Sequence, residues 1–281
     1  MARPSPADKR KTFHELHRSG CFVIPNPWNA GSARYLQGLG FKALASTSSG
    51  YAHSLGLSDG DVTRDMVLAH CRELAETADV PVNADFENGY ADDPAAVADN
   101  VRLCVETGVA GLSIEDFNGN EADPLYGFDL AVKRVRATRE AIDKTGTGVV
   151  FCARTEGFIH GRPDLDEAIR RLKAFADAGA DCLYAPGIKT REQIAAVVKA
   201  VAPKPVNLLM SFSAGLKVAD IADLAVRRIS VGGTLARVAM HAFVKSAREI
   251  AETGKFDSFV GVMSNAELNA FFSDDFKKRQ S

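Results

Sequence analysis

The sequence lacks the features that mark nucleic-acid-binding and membrane proteins. Its 34 basic and 36 acidic residues give a formal charge of −2 without any block of one sign, which argues against a nucleic acid or an anionic membrane as partner. No apolar run is long enough to span a bilayer, and residues 1–18 lack the apolar stretch of a signal peptide. We therefore expect a soluble cytoplasmic protein.

Cysteine is scarce, and its spacing fits neither disulfides nor zinc. The five cysteines are spread along the chain without a C-x-x-C pair, so reduced thiols are expected. Cys152 lies in the middle of a β-like run with no histidine nearby in sequence, which favours core packing over a nucleophilic role. P-loop, G-x-G-x-x-G and H-E-x-x-H motifs are also absent.

What the sequence does contain is a regular alternation of β-like and helical patterns. The β-like runs are residues 22–28, 43–48, 80–86, 111–117, 148–156, 182–187, 204–210 and 228–233. Helical patterns between or after them include 61–78, 94–107, 129–144, 165–178, 190–201 and 234–252. Eight strands alternating with helices predict an α/β fold, a parallel (β/α)₈ barrel of the TIM type. Gly40, Gly108 and Gly179 each stand where a helix should end before a strand, a position that favours glycine.

The pattern divides the chain into a barrel, residues 1–253, and a C-terminal extension, residues 254–281. The extension holds a short aromatic stretch and then an extra helix with Leu268, Phe271 and Phe272 on one side. An appended helix with exposed aromatic residues usually packs on a neighbour. We therefore expect the extension to pack on another subunit of a homo-oligomer.

Acidic residues at two neighbouring strand ends point to a metal site. Asn83, Asp85 and Glu87 are spaced two apart and project to the same side if the strand continues, and Glu115 ends the next β-like run. Carboxylates that converge at the ends of buried strands repel one another and lose hydration, so they need a cation. Mg²⁺ prefers oxygen ligands and is the simplest such cation.

Other polar residues fall at the remaining strand ends, where barrels of this type carry their active sites. In chain order they are Trp28, Ser46, Thr47, Ser48, Asp59, Arg154, Glu156, Tyr184 and Asn207. Arg154 fits either a core ion pair or a clamp on a substrate carboxylate. The hydroxyl cluster at residues 46–49 fits either a polar turn or an anion cradle, and for Asp59 or Asp116 alone a helix cap is the simpler role.

With these residues assembled, the chain resembles the isocitrate lyase/phosphoenolpyruvate mutase superfamily. The matching motifs are PNPWNA at 25–30, STSSG at 46–50, LGLSD at 55–59, NADFENG at 83–89, SIED at 113–116 and ARTE at 153–156. They follow the family order over residues 12–250. The resemblance implies an Mg²⁺-dependent barrel, with Mn²⁺ as an alternative ion, that acts on pyruvate-like 2-oxo acids or their adducts. It also implies a dimer of dimers that exchanges its last barrel helix.

The resemblance further implies roles for single residues. Asp85 would be the direct Mg²⁺ ligand, while Asp59, Glu87 and Glu115 would act through water. Ser46, Thr47 and Ser48 would hold the substrate carboxylate, and Arg154 would bind and polarise the substrate. Trp28, Asp85 and Asn207 complete the expected substrate-binding set, and Arg154, Glu115 and Tyr184 the expected catalytic set.

The chain departs from the family where the individual reactions differ. The lyases carry a lysine-(lysine/arginine)-cysteine-glycine-histidine loop after the fourth strand, whose cysteine is the general acid, whereas residues 118–126 here read NGNEADPLY. Asn118 or Asn120 could substitute for the mutase loop residues, and Gly187 replaces a glutamate of the methylisocitrate lyases. The chain thus resembles the uncharacterised branch of the superfamily.

Three functions remain open at this point. The first is a carbon–carbon lyase or decarboxylase acting on a small 2-oxo or 2-hydroxy (di)carboxylate through an enolate that Mg²⁺ and Arg154 stabilise. The missing cysteine suits decarboxylation, because water or Tyr184 can protonate the enolate. The second is carbon–phosphorus chemistry, as in phosphonopyruvate hydrolysis or mutation. The third is a 2-oxo-acid-binding protein without turnover.

Overall fold

The computed structural model describes residues 3–280 and contains eight parallel strands in a nearly closed barrel. The strands are β1 (Phe22–Ile24), β2 (Leu44–Ala45), β3 (Val82–Asp85), β4 (Gly111–Glu115), β5 (Val150–Arg154), β6 (Cys182–Tyr184), β7 (Val206–Leu209) and β8 (Arg228–Ser230). Their order is β1-β8-β7-β6-β5-β4-β3-β2, and a backbone hydrogen bond of 3.1 Å from Ala45 N to Pro25 O links the two end strands. The predicted (β/α)₈ barrel is confirmed.

Helices surround the barrel and extend it at both ends of the chain. They are α1 (Pro6–Arg18), α2 (Ala30–Gly38), α3 (Ser48–Ser54), α4 (Arg64–Thr77), α5 (Pro94–Glu106), α6 (Phe128–Lys144), α7 (Leu165–Asp177), α8 (Arg191–Val201), α9 (Val218–Ala222), α10 (Thr234–Thr253) and α11 (Asn265–Gln280). A single 3₁₀ turn spans Asp257–Phe259. Helices α1, α2, α3 and α9 have no counterpart among the helical ranges predicted from sequence. None of the helices in residues 3–280 has the length and apolar character needed to cross a membrane.

Local sequence signals fix several of these helix ends. Thr190 and Gln193 form a capping box at the start of α8, where each side chain bonds the backbone N–H of the other residue. Gly40, Gly108 and Gly179 have φ values of 92°, 90° and 107°, the left-handed conformation predicted for them. The chain therefore leaves each helix at the residue that the sequence indicates.

The apolar core lies mainly between the strands and the surrounding helices. Outward-facing residues such as Leu112, Phe151 and Leu183 are buried against apolar side chains of α4 to α8. Helix α1 covers the amino end of the barrel, where Phe13 packs with Ile24. Because burial of apolar surface is the main stabilising contribution to folding, this outer layer accounts for most of the stability of the barrel.

The barrel interior, by contrast, is largely polar. A typical barrel of this kind fills its interior with branched apolar side chains. Beside apolar residues such as Ile24, Ala45 and Leu209, the inward-facing positions here carry Asn83, Asp85, Ser113, Glu115, Cys152, Arg154, Tyr184, Asn207, Arg228 and Ser230. A polar interior is costly unless each group finds a partner, so these residues direct attention to the inside of the barrel.

The last two helices differ in how they pack. On α10 only Ala236 is buried, and apolar side chains such as Val238 and Phe243 are 61% and 66% exposed. Helix α11 contacts α2 of the same chain, where Phe271 packs on Tyr35 and Asp275 pairs with Arg34. The packing of the extension on another subunit stays a prediction.

Candidate active site

A small cavity opens at the carboxyl ends of the strands and has a volume of about 160 Å³. Eight residues predicted from sequence line it: Ser46, Thr47, Ser48, Asp59, Asp85, Arg154, Tyr184 and Asn207. These residues come from strands and loops spread around the barrel. The strand ends therefore bring most of the predicted site together in one place, as expected for this fold.

Asp85 is the last residue of β3 and is held on both carboxylate oxygens. Its Oδ1 accepts a hydrogen bond of 2.6 Å from Arg154 Nη1, and its Oδ2 accepts from the backbone N and the Oγ of Ser48 at 3.1 and 3.2 Å. The Ser46 hydroxyl accepts a bond of 2.8 Å from the Asp85 backbone N–H. Asp85 thus connects the hydroxyl cluster to the arginine.

Arg154 ends β5 and lies among three carboxylates. Its guanidinium nitrogens are 2.6 Å from Asp85, 3.1 Å from Glu115 and 2.8 Å from Glu156. Burial alone would lower the pKa of Arg154, but the negative charges of Glu156, Glu115 and Asp85 hold it well above its usual value. The side chain is therefore a permanent cation with a fixed orientation, and both roles considered from sequence are compatible with this geometry.

One arginine does not neutralise all the acids around it. Burial raises the pKa of Glu87 to about 7, and the charges of Asp85 and Asp59 add to this effect against a hydrogen bond from Tyr90. Burial and the Asp85 charge likewise raise the pKa of Asp59. Burial also raises the pKa of Glu115, although Arg154 opposes it. The site therefore contains more carboxyl groups than one arginine can keep ionised.

This donor set fits a hard divalent cation. All the candidate ligands are carboxylate oxygens, which Mg²⁺ prefers, and one direct carboxylate with further contacts through water is a common arrangement for this ion. In residues 3–280 no three histidine, cysteine, aspartate or glutamate side chains converge as a ready-made metal cluster. Asp85 could hold Mg²⁺ directly, and Asp59 and Glu87 through water. The raised pKa values show that a cation here would relieve an existing repulsion.

The hydroxyl cluster forms the start of a helix that the sequence pattern did not indicate. Thr47 caps α3 by accepting a hydrogen bond of 3.3 Å from Gly50 N, and Ser48 is the first residue of that helix. The three side chains Ser46, Thr47 and Ser48 still line the cavity. The segment is therefore a turn that offers hydroxyl groups and a backbone N–H at the site.

Tyr184 lies beside the arginine at the end of β6. The Arg154 guanidinium carbon is 5.0 Å from the centre of the Tyr184 ring. Burial raises the pKa of Tyr184 above its ordinary value, although the Arg154 charge and a hydrogen bond with Ser230 oppose the rise. The phenol therefore keeps its proton at neutral pH and can donate it.

Three predicted site residues lie outside the cavity lining. Glu115 pairs with Arg154 at 3.1 Å but does not itself line the cavity. Glu87 turns away because β3 ends at Asp85 and Glu87 itself has a φ of 45°; its Oε1 accepts a bond of 2.6 Å from Tyr90. Trp28 faces a neighbouring groove between α3 and α10. The sequence patterns predicted the correct end of the barrel for these residues, but their side chains do not line the cavity.

Two polar residues of β8 are among the cavity residues that were not predicted. Arg228 and Ser230 are the inward-facing residues of β8, and both line the cavity. Ser230 accepts a hydrogen bond of 2.9 Å from Asn207 Nδ2. The available signal was the spacing of two in the run Arg228-Ile-Ser230, which places both on one face of a strand.

The short loop after β4 packs against the loop that follows β5, near the opening of the cavity. Its Phe117 ring stacks on the His160 ring with centres 3.8 Å apart, and Arg162 Nη2 donates a bond of 3.0 Å to Ala122 O. Asn118 bonds the loop backbone at Asp123 O, at 2.7 Å. Asn118 and Asn120 thus serve as loop-forming residues in this conformation.

The fold and this site define the chain as a member of the phosphoenolpyruvate phosphomutase family, whose model matches residues 13–251. The family lies within the isocitrate lyase/phosphoenolpyruvate mutase superfamily, as the resemblance of the motifs predicted.

Individual relatives agree with this placement. The chain is 44% identical to a solved protein of Burkholderia cenocepacia J2315 that is assigned only provisionally as a lyase or mutase; the TM-score is 0.92, and the match covers 95% of this chain and 97% of that one. It is 32% identical over 244 residues to an uncharacterized protein of Mycobacterium tuberculosis, covering 86% and 89% of the two chains. It is 30% identical over 241 residues to the oxaloacetate decarboxylase of Paraburkholderia xenovorans, covering 80% and 75%.

A more distant solved structure shares the fold. Phosphonopyruvate hydrolase, solved with oxalate and Mg²⁺, shares the fold with a TM-score of 0.83 over 96% of both chains at 23% identity. The likeness to that structure shows the shared fold, and named relatives of the chain include the 2-methylisocitrate lyase of Escherichia coli, 34% identical over 171 residues.

Proposed function

We propose that the protein is an Mg²⁺-dependent enzyme that cleaves a carbon–carbon bond in a small 2-oxo or 2-hydroxy (di)carboxylate through a pyruvate-type enolate. The observation that carries the proposal is the shared cavity, in which Arg154 pairs with Asp85 and Asp59 adds a second carboxyl group. The oxaloacetate decarboxylase relative supports this class of substrate.

The residues of the chain have separate tasks in this proposal. Ser46, Thr47 and Ser48 bind the substrate carboxylate through hydroxyl and backbone N–H groups. Arg154 donates to the substrate oxygen on which negative charge develops, in an orientation fixed by Glu115 and Glu156. When bound, Mg²⁺ would supply further stabilisation of that charge.

Tyr184 supplies the proton in this scheme. Its phenol is protonated at neutral pH and lies beside Arg154, so it can donate to the enolate carbon directly or through water. The cavity of about 160 Å³ limits the substrate to a few carbon atoms. It also admits little water beside the substrate, which strengthens each polar contact.

The test is product formation from defined acids. The protein is incubated with Mg²⁺ and, separately, oxaloacetate, methylisocitrate and dimethylmalate, and the release of pyruvate is followed. We expect pyruvate from at least one acid, with turnover lost on chelation and restored by Mg²⁺ or Mn²⁺. Absence of product from all three contradicts the proposal, and a matched reaction without enzyme controls for spontaneous decarboxylation.

Carbon–phosphorus chemistry is the second candidate because the matching family model is that of a phosphomutase. Such chemistry needs a basic residue near the phosphoryl group, and residues 117–126 contain no lysine, arginine or histidine. A ³¹P NMR assay with phosphonopyruvate separates the two candidates. Thermal stabilisation by oxalate without product from any acid would instead indicate a binding protein without turnover.

We also propose that the protein is a cytoplasmic homo-oligomer, a dimer of dimers. The apolar side chains of α10, such as Val238, Met240 and Phe243, are 43–66% exposed in the single chain, and a partner subunit would cover them. The cysteines are free thiols, as expected in a reducing compartment. Light scattering coupled to size-exclusion chromatography should give four times the 30.1 kDa chain mass; a monomer contradicts this assembly.

A further inference from the structure

Arg228 is a buried cation at the inner end of the active-site cavity. It is the first residue of β8, its side chain faces the barrel interior, and the residue is 3% exposed. It lines the same cavity as Arg154 and Asp85. The roles proposed above for binding and proton donation do not use it.

The partners of Arg228 do not supply a carboxylate. Its Nε donates a hydrogen bond of 2.8 Å to Asn207 Oδ1, and its Nη1 lies 3.4 Å from Asn83 Oδ1. A third contact is with the thiol of Cys152. Within residues 3–280 no aspartate or glutamate oxygen comes within 4.0 Å of its guanidinium group. A buried charge without an opposite charge is costly, so an anion at this position would be stabilising.

Two other buried arginines show what a purely structural arginine looks like here. Arg171 pairs with Asp116 at 3.0 Å and with Glu167 at 2.7 Å. Arg134 donates to three backbone carbonyl oxygens and lies over the Tyr126 ring. Neither lines the active-site cavity, whereas Arg228 is held by amide oxygens on one side and faces the cavity.

The cavity connects Arg228 with the rest of the site. Asn83, Ser113, Tyr184 and Ser230 also line it, while Asn83 Nδ2 and Ser113 Oγ donate to Ala84 O. Asn83 and Asn207 hold the Arg228 side chain in place, so it is oriented before a ligand binds. A preoriented guanidinium is well suited to a carboxylate.

We propose that Arg228, held in place by Asn83 and Asn207, forms a second anion subsite that binds the far carboxylate of a dicarboxylate substrate. The inference rests on the proposed function, in which the hydroxyl cluster and Arg154 hold the reacting 2-oxo or 2-hydroxy acid end. It selects dicarboxylates over monocarboxylates such as pyruvate.

Calorimetric titration of two probe acids in the presence of Mg²⁺ tests the subsite. The probes are malate, a four-carbon dicarboxylate, and pyruvate, a monocarboxylate. Arg228→Gln should weaken malate binding about 100-fold, because a buried charge pair is lost, and pyruvate binding less than threefold. Arg227→Gln, the neighbouring arginine that bonds Gly20 O near the outer surface, is the matched control and should change neither affinity.

The outcomes separate this inference from the proposed function. If the wild type binds both acids and Arg228→Gln weakens them equally or not at all, the subsite is wrong and the proposed function stands. If the wild type binds neither acid with Mg²⁺, both fail. Should Arg228→Gln not fold, Arg228→Lys keeps the charge but loses the planar fork, and its malate-to-pyruvate affinity ratio should fall about tenfold; an unchanged ratio overturns the subsite.

The thiol of Cys152 is the rival anion for Arg228. Burial alone would raise its pKa, but a hydrogen bond with Cys182 and the charge of Arg228 lower it to about 7. Cys152→Ser should leave malate affinity within threefold of the wild type if the subsite serves the substrate. If malate affinity is instead insensitive to Arg228→Gln while thiolate absorbance at 240 nm disappears in that variant, the thiolate is the partner and the subsite is overturned.

Discussion

Glu115 and Asp116 are consecutive residues at the end of β4, yet they belong to two different kinds of charged network. Glu115 faces the barrel interior and pairs with Arg154 at 3.1 Å. Asp116 faces outward and accepts hydrogen bonds from Thr155 Oγ1, Glu156 N and Arg171 Nη1 at 2.9 to 3.0 Å. Both carboxylates are buried beside an arginine.

The two networks differ in charge balance and in access to a cavity. Around Asp116, every acceptor oxygen has a donor within the protein, and Arg171 balances the charge. Around Arg154, three carboxylates share one guanidinium, further acids lie nearby, and the group lines a cavity. A buried ion pair is therefore not by itself a sign of function; an uncompensated charge at a cavity is.

Removing the central acid should have the largest effect and should affect binding more than folding. Asp85→Ala removes the proposed direct metal ligand, so Mg²⁺-dependent oxalate binding should be lost, with turnover reduced at least about 1000-fold. Calorimetry with and without Mg²⁺ measures the binding. Asp99→Ala, which removes an exposed acid on α5, is the control. Unchanged oxalate affinity in Asp85→Ala would show that the metal lies elsewhere.

The network around Asp116 should respond in the opposite way, since its disruption should affect folding more than binding. Asp116→Asn removes the buried carboxylate partner of Arg171 and leaves only the part-exposed Glu167, so the free energy of unfolding should fall by about 3 kcal/mol. Denaturant unfolding measures this loss. Adding Arg171→Met to the variant should recover part of the stability, and turnover below the unfolding temperature should stay within threefold of the wild type. A stable but inactive Asp116→Asn protein would contradict the assignment of Asp116 to a purely structural network.

Arg154 and Arg171, the arginines of the two networks, can be compared through the same substitution to lysine. Arg154→Lys replaces a planar fork by a point charge and should weaken carboxylate binding about 30-fold with a small change in stability. Arg171→Lys should lower the unfolding temperature and leave carboxylate affinity unchanged. Titration with oxalate measures the carboxylate affinity of each variant, and thermal unfolding measures its unfolding temperature. Equal effects of the two substitutions on affinity would contradict the separation of the networks.

The smallest expected effect is a pH dependence carried by Glu87. Because burial raises its pKa to about 7, Glu87 holds a proton below neutral pH and competes with Mg²⁺. Mg²⁺ affinity should rise between pH 6 and 8 with proton release, and Glu87→Gln should flatten this rise. Isothermal titration in buffers of different ionisation enthalpy measures the protons released.

The same raised pKa fixes the sign of a stability change. The unfolded-state pKa of glutamate is about 4.3. The folded protein therefore binds the extra proton between that value and about 7, and the stability contributed by protonated Glu87 is lost as the pH rises through this window. The free energy of unfolding without metal should decline less with pH in Glu87→Gln than in the wild type. An equal decline in both proteins would assign the titration to another group.

Sequence patterns were sufficient for the barrel and for most of the cavity wall. The alternation of β-like and helical runs predicts the architecture because each element has its own period, and the carboxyl ends of parallel strands converge regardless of the loops between them. Asp85, Arg154, Tyr184 and Asn207 were placed correctly at the cavity for that reason.

The remaining differences come from positions where the local period changes. Spacing by two placed Glu87 beside Asp85, but the strand ends at Asp85 and the left-handed φ of Glu87 redirects its side chain. The segment Ser48–Ser54 lacks the residues of a strong helix former, and its cap at Thr47 stabilises it. Arg228 follows another arginine, so the sequence suggests a surface charge. The strand register instead places its side chain inside the barrel.

The polar lining of the barrel also bears on how this scaffold could be re-engineered. Cohesion resides in the apolar layer outside the strands, around residues such as Leu112 and Phe151. Libraries randomised at Ser113 and Ser230, two inward-facing serines, should therefore yield folded variants more often than libraries at those two outward positions. The candidate site and the apolar layer that stabilises the barrel occupy opposite faces of the same short strands. Laboratory evolution can therefore explore new substrates without changes in the stabilising layer.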